Sequence, residues 1–473
     1  MDFESATDAP KGIFDLSASQ MQLPNYQSTR APASTLFKSA TTLYNLKRIY
    51  HDYVEDKGAR GRDGVHPKSL AADLDGITKL ISRKMRAGSY RFTGYREVLE
   101  LKGAGKTPRI LSIPTARDRI ALRALADCLT GLFPQTRGVI PHQRVFEVST
   151  ALAAGTYDSY VKLDVENFYP SIAHAQIEQE LRTRIRKKEI LGSIIGALRT
   201  PTIPIGQRSR TPNERGVPQG LAISNILAEL VMVKIDTAAS ALDDCAYFRY
   251  VDDILILCNS TSITRVRDSI VSQCEEIGLK VHLAAAGEAK SSSGSISNGF
   301  SYLGYTFSSK KVSVRKKSIQ NIEGSILRAF TRYKYDRNLR QLQDRINIII
   351  TGCIYGGVSY GWLNYFRQMN DITLLKRLDI LIETMKRRHK VPATFRTKSF
   401  VRAYWSIRYP LGKDRNYVPN FDLADIPQMR QVLIAHLGEE EVAKMVDGDV
   451  PAAFKRIMRR VVIDLEKDIG HIS

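Results

Sequence analysis

Two adjacent acids sit in Tyr250-Val251-Asp252-Asp253, between Ala246 and Phe248 on one side and Ile254, Leu255, Ile256 and Leu257 on the other. Two strand-forming runs with acids between them predict a hairpin with Asp252 and Asp253 at its tip. Burying that hairpin crowds two carboxylates at the edge of a core, which is costly unless a cation relieves them. Read alone, the tetrapeptide is equally a solvated Asp-Asp turn. A third acid, Asp164, ends an apolar run in Lys162-Leu163-Asp164-Val165, and an aromatic, Tyr169, follows five residues later. If that run lies beside the hairpin, three acids could hold two Mg²⁺ about 3.5–4 Å apart, the geometry of two-metal phosphoryl transfer. Mg²⁺ takes few carboxylates and completes its shell with water and substrate phosphates, so three acids suffice. Alone, Asp164 reads equally as a helix cap or a strand-end acid. Further on, Val217-Pro218-Gln219-Gly220 opens a long helical pattern. Gly permits close backbone approach, and a helix start suits a phosphate or a sugar edge. The alternative is a plain loop-to-helix turn.

The elements that must position these residues follow from apolar periodicity. Helices are expected from Thr41 past Tyr53, over Leu70 to Met85, and over 117–133. Tyr95 to Pro114 reads as two short strands around the loop Lys102 to Lys106. The middle third predicts a strand at Tyr160 to Val165 and helix over 174–198. A basic loop from Pro201 to Arg215 and a long helix from Leu221 to Leu242 come next. The acid hairpin (Tyr247 to Leu257) is followed by helix over 262–278 and strands at Lys280 to Leu283 and Phe300 to Ser308. The order β-α-α-β-β-α-β suggests an α+β layer, helices on one face of an antiparallel sheet. Helical pattern continues to His389, with two more helices near 427–446 and 450–468.

Composition narrows the partner. The chain has 473 residues, 43% apolar and 25% charged, which predicts about three domains and excludes global disorder. Its formal charge of +21 points to a polyphosphate partner. Five scattered Cys without a C-x-x-C pair argue against disulfides and cysteine-bound zinc, and fit the reducing cytoplasm. Residues 310–345 hold eleven Lys or Arg against three acids, which reads as nucleic-acid contact rather than a merely solvated face. The uncharged run Ile346 to Phe366 contains four Gly (Gly352, Gly356, Gly357, Gly361) and two Asn (Asn347, Asn364), so a buried helix–turn–helix is expected and no membrane span. Near the end, Tyr404, Trp405, Tyr409 and Tyr417 alternate with Arg402, Arg408, Lys413 and Arg415. This is either a packed aromatic core with surface bases or a stacking platform for RNA bases.

Together, in this order, the motifs over residues 41–310 resemble the reverse transcriptase palm and its neighbours. The resemblance implies a right-hand polymerase fold. Its parts are an N-terminal arm (1–40), fingers (41–155), a palm with an antiparallel sheet (156–310), a helical thumb (311–395) and a mostly helical C-terminal extension (396–473). It implies that Asp164, Asp252 and Asp253 are the catalytic metal-binding acids, with Val165 lending a backbone carbonyl. Two Mg²⁺ are the implied cofactors, with Mn²⁺ as a substitute. Lys102 and Arg109 match the basic pair that grips the triphosphate. Tyr169 matches the aromatic that blocks a 2′-hydroxyl, and Gln219 the residue beside the incoming sugar and base. Phe300 to Tyr305 resembles the primer-grip strand, with Leu303 and Gly304 at its centre. Arg315, Lys316, Lys317, Arg328 and Arg332 would track the nucleic-acid backbone. Tyr360-Gly361-Trp362-Leu363-Asn364-Tyr365 resembles a maturase-type thumb core, although Trp362 and Tyr365 read better as packing residues.

Gly61-Arg62-Asp63-Gly64-Val65 and Arg109 to Arg119 look like bacterial group II-type enzymes. No zinc-binding or His-Asn-His nuclease segment, RNase H domain or retron Val-Thr-Gly is evident. Asn167 to Ile172 and Ser224 to Glu229 are similar to the bacterial defence-associated (unknown-group) and abortive-infection reverse transcriptases; Gln219 departs from many of that group. The resemblance implies dNTPs, a structured noncoding RNA template, an RNA–DNA hybrid and DNA product, and a role against phage. A homo-oligomer stays open. Alternatives are a group II intron-like maturase without a nuclease, and a retired RNA-binding scaffold.

Overall fold

The computed structural model describes residues 31–56, 59–101, 107–208, 211–282, 291–409 and 416–469. Lys102 and most of residues 1–40 lie outside them. The described part of that arm includes a helix, Ala33–Ala40, which buries Phe37 and Ala40. Weak periodicity hid it, because only two of its eight residues are buried.

The first strands are β1 (Tyr95–Glu100) and β2 (Arg109–Ile113), an antiparallel pair as expected. The helix Ala116–Leu132 follows, capped by Thr115, whose side chain accepts from the Asp118 amide. Then come β3 (Ser159–Asp164), β4 (Thr202–Ile203), β5 (Cys245–Tyr250), β6 (Asp253–Cys258) and β7 (Ser292–Ser295). The central sheet is antiparallel in the order β5-β6-β3-β7. Along β3 and β6, alternate side chains face opposite ways. Val161, Leu163, Ile254 and Ile256 join one core with the helices Ser224–Ser240 and Ile263–Glu276. Tyr160, Leu255 and Leu257 join a second core toward the C-terminal half.

Several expectations need adjustment. The helix expected over 174–198 is two helices, His174–Arg182 and Lys188–Arg199, and the break between them buries Ile185. Of the strand expected at Lys280 to Leu283, the described residues show a single bridge, Val281 to Val165, and Leu283 lies outside them. Phe300 to Ser308 is a hairpin, β8 (Phe300–Tyr302) and β9 (Tyr305–Phe307), and β10 (Val312–Val314) pairs with β9. The boundary expected at residue 310 therefore falls within one sheet.

The C-terminal half is mainly helical, with Lys316–Asp336, Leu339–Thr351, Ile372–Arg388, Phe400–Arg408, Ile426–Leu437 and Val450–Ile469. The uncharged run holds no simple helix–turn–helix. A hairpin, β11 (Cys353–Tyr355) and β12 (Val358–Tyr360), separates Leu339–Thr351 from the short helix Trp362–Tyr365. Trp362 is fully buried and donates to the Ser318 carbonyl, a packing role. No helix among the described residues is long and apolar enough to cross a membrane. The last helix reaches back to the N-terminal part: Lys455 pairs with Asp56, which also pairs with Lys68.

Candidate active site at the acid hairpin

In the β3–β6 register Asp164 stands opposite Asp253, and Asp253 opposite Tyr250 of β5. Directly opposed residues share a face of the sheet, so Asp164 and Asp253 stand side by side on one face at this end of the sheet. Lys162, two residues before Asp164, shares that face, and its Nζ lies 3.8 Å from Asp253 Oδ1. Asp253 is only 5% exposed. Burial pushes its carboxyl up to about 6; Lys162 opposes the shift, and the charges of Asp252 and Asp164 add to it. Negative charge is thus concentrated here and only partly offset.

The hairpin tip is held by groups that sequence reasoning missed. Val251 adopts φ +56°, a backbone state that a β-branched residue rarely takes. Arg249 Nη1 donates to the Val251 carbonyl at 2.9 Å. The same guanidinium donates to Asp236 at 2.7 and 2.6 Å and to Glu229 at 2.8 Å. Arg249 and Glu229 are buried. Burial opposes the charge of Arg249, yet the bonds and charges of Asp236 and Glu229 hold its pKa well above the ordinary value. A signal was present: Glu229 and Asp236 are seven residues apart on one helix, so they share a face, and the only cation inside the β5 run is Arg249.

Asp164 has its own surroundings. Its amide donates to Ser291 Oγ at 3.1 Å, and its carbonyl accepts from the His282 amide at 2.9 Å. The His282 ring lies between Asp164 (3.6 Å) and Glu166 (3.1 Å). Val165 is buried and bridges Val281. Neither His282 nor Glu166 was singled out from the sequence.

Tyr169 approaches from the turn after β3. Its hydroxyl donates to Asn225 Oδ1 at 3.1 Å. Burial pushes the phenol up to about 12, Asp252 and Glu229 add to the rise, and Arg109 opposes it. Tyr169, Asp252 and Arg109 therefore lie within electrostatic reach of one another. Arg109 sits at the start of β2 with Glu100 at 3.4 Å. The Gln219 carbonyl accepts from the Ser112 amide of the same strand at 2.7 Å. This one bond ties the Pro-Gln-Gly turn to β2.

On the other side, Leu303 and Gly304 form the β8–β9 turn, both with positive φ (+48° and +80°), as a two-residue hairpin loop requires. Leu303 is buried, and its carbonyl accepts from the Tyr365 hydroxyl at 3.1 Å. Tyr302 donates to the Asp253 carbonyl at 3.4 Å, joining this hairpin to β6. The charge of Arg315 acts on Asp253. Lys316 and Lys317 are exposed on the first turn of the helix Lys316–Asp336. Arg328 and Arg332 turn to local acceptors: Arg328 to Ser325 Oγ (2.5 Å), with Asp468 at 3.9 Å, and Arg332 to Asp336 (3.4 Å).

No three His, Cys, Asp or Glu side chains among the described residues form a ready metal cage. The donor chemistry nevertheless suits a hard cation: carboxylate oxygens, with like charges raising the Asp253 pKa and an ammonium already drawn to it.

Residues 101–307 match the family model for reverse transcriptase (RNA-dependent DNA polymerase). A putative COX1/OXI3 intron 1 protein of Saccharomyces cerevisiae is 25% identical over 183 residues, 36% of this chain and 22% of that protein. The chain thus spans less than a quarter of that relative's length. Among solved structures, a Candida albicans telomerase with a telomeric RNA fragment aligns with TM-score 0.40 and 12% identity, covering 84% of this chain and 67% of that one. An apo telomerase from Candida tropicalis, truncated from its C-terminal domain, aligns with TM-score 0.35 and 12% identity, covering 54% and 63%. Residues 101–307 thus match a reverse transcriptase domain, and the described residues of that stretch form a mixed α+β fold with the acid hairpin in its antiparallel central sheet.

Proposed function

We propose that the protein is an RNA-directed DNA polymerase that extends a primer by nucleotidyl transfer at Asp164, Asp252 and Asp253. The observation that carries this reading is the register that sets Asp164 opposite Asp253 inside the matched domain. Asp164 and Asp252 would hold two divalent cations, Mg²⁺ or its substitute Mn²⁺, with the Val165 carbonyl as a further ligand and Asp253 in support. When bound, such ions lower the pKa of the priming hydroxyl and neutralise the leaving pyrophosphate. Arg109, with Lys102, would stabilise charge building on the triphosphate. The Tyr169 ring would exclude a 2′-hydroxyl, and Gln219 would border the incoming nucleotide. The β8–β9 turn would seat the primer end. Arg315, Lys316 and Lys317 would meet the template–primer backbone, with Arg328 and Arg332 further along the helix Lys316–Asp336.

The resemblance to defence-associated enzymes supports a structured noncoding RNA as template, a DNA product, a role against phage and a cytoplasmic location. A second reading has its own support: the yeast relative is described as a putative intron protein, which favours a maturase. Extension of a primed RNA with dNTPs and Mg²⁺ tests the activity. Asp252→Asn should lower the rate by ~10³-fold or more, several kcal/mol of charge stabilisation. Equal extension by both proteins, or none by wild type, leaves only an RNA-binding scaffold. Sequencing RNA bound to the protein in its host separates the two readings, a short unspliced structured RNA from an intron.

A further inference from the structure

From Thr384 to Lys413 the chain has nine Lys or Arg and no Asp or Glu. Inside this stretch lies the helix Phe400–Arg408. Its inner face is locked. Phe400, Ala403 and Tyr404 are buried, and the Tyr404 hydroxyl donates to the Met369 carbonyl at 2.7 Å. Asp379 of the preceding helix accepts from Ser399 Oγ at 2.8 Å and from the Phe400 amide at 2.7 Å, which fixes the helix start.

The outer face departs from ordinary protein surface. Arg402, Trp405 and Tyr409 follow at three- and four-residue steps and so share one side. Trp405 is 45% exposed and Tyr409 60%. Their rings stack, with centroids 5.7 Å apart and planes 19° from parallel. Arg402 lies over the Tyr417 ring at 4.9 Å, and Arg408 donates to the Tyr404 hydroxyl at 2.7 Å. Two aromatic faces in water, flanked by guanidinium groups in a stretch (383–415) that holds ten Lys or Arg against two acids, match one ligand chemistry. Unpaired bases offer flat faces to the rings, and the phosphates that join them offer regularly spaced anions to the guanidinium groups.

We propose that this face is a binding site for single-stranded RNA, with bases stacking on Trp405 and Tyr409 and phosphates taken by Arg402 and Arg408. The site uses none of the acid-hairpin residues, so it goes beyond the polymerase reading; that reading supplies RNA as the strand to be held.

The chain has two Trp, and the other, Trp362, is 0% exposed. RNA-induced quenching of tryptophan emission in the full chain therefore reports on Trp405, since Trp362 is out of reach of a ligand. Titration with an unstructured 12-nucleotide RNA should quench that emission to saturation, while a blunt RNA duplex of equal length should not. By fluorescence polarisation with the same RNA, Trp405→Ala and Tyr409→Ala should each weaken binding about tenfold, whereas Trp405→Phe should keep the affinity and lose the quench. Both truncated side chains are exposed, so an unchanged melting midpoint verifies folding. Binding seen by polarisation without quenching, equal quenching by the duplex, quenching by single-stranded DNA but not RNA, or wild-type affinity of the double Ala variant overturns the proposal. Asp252→Asn should quench as wild type does, so loss of polymerase activity and loss of this site are told apart.

Discussion

Charge is handled in opposite ways at the acid hairpin and along the helix Lys316–Asp336. At the hairpin, Arg249 meets Glu229 and Asp236 in a buried, multiply bonded cluster, and Lys162 faces Asp253 on the same sheet. Along the helix the cations are exposed, and Arg328 and Arg332 each meet a single acid, Asp468 from another segment and Asp336 of the helix itself, while Lys311, just before the helix, meets Asp371. A buried charge is fixed by all its partners at once, so losing one leaves the others stranded. An exposed pair is loosely held and screened, and contributes ~0–1 kcal/mol. Substitution should therefore act through folding and geometry at the hairpin, and through salt dependence on the helix.

The largest effect is expected at Arg249. Arg249→Met removes the fork and leaves Glu229 buried and uncompensated, which should cost about 3–5 kcal/mol. Chemical denaturation should show a lowered midpoint. Arg249→Lys keeps the charge but not the bidentate geometry, so it should recover stability only in part and leave the Val251 carbonyl unsupported. Unchanged stability of Arg249→Met would place this cluster with the exposed pairs and erase the contrast.

Next comes Tyr169, which the charge of Asp252 at the hairpin reaches and which Asn225 anchors. Tyr169→Ala should raise ribonucleotide relative to deoxynucleotide incorporation by about tenfold to a hundredfold, as removal of one steric clash of ~1.4–3 kcal/mol would do. Single-nucleotide extension with each sugar measures it, and unchanged selectivity removes the assignment.

What was legible in the sequence follows the same division. The acid hairpin and Asp164 showed because adjacent acids between apolar runs form a local signal, and strand alternation then dictates the shared face. Arg249, Glu229 and Asp236 form a pattern only once a helix packs on the sheet. Strand β7, Ser-Ser-Gly-Ser at 292–295, has a composition that reads as turn; its pairing with β3 decides it. The β11–β12 hairpin hid in an uncharged run whose Gly residues marked a turn but not its flanking strands. The basic run 310–345 was plain, yet the acids that neutralise part of it, Asp371 and Asp468, lie outside it.

Asp468 is a case between the two regimes, a buried acid serving the exposed helix. Burial pushes it up from the ordinary 3.8 to about 6, against the pull of Ser325 and Arg328. The folded state therefore binds more protons than the unfolded state between pH ~4 and ~6. Its contribution to stability is greatest below that window and falls as pH rises through it. Other acids titrate there too, so the difference between proteins is the measurement. Melting midpoints of wild type minus Asp468→Asn should decline from pH 4 to pH 6 and then level off. A flat difference would mean that the carboxylate is already compensated, as exposed pairs are.

The smallest effects should come from the exposed helix itself. Arg332 and Asp336 form a pair at 3.4 Å with side chains 56% and 32% exposed. Arg332→Gln should therefore change stability by less than ~1 kcal/mol. Lys316→Gln, on the first turn, should be similarly mild. Binding separates the two. A cation that neutralises a phosphate contributes about 0.9 to the log–log salt slope on duplex DNA, and an RNA–DNA hybrid should behave in kind. Lys316→Gln should flatten the slope by close to that amount, because no carboxylate occupies the first turn of the helix. Arg332→Gln should flatten it less, because Asp336 competes for the guanidinium. Equal slopes for the two variants would show that the helix acts as one uniform basic face. An unequal pair would show that single acids, placed by the fold, select which cations reach the nucleic acid.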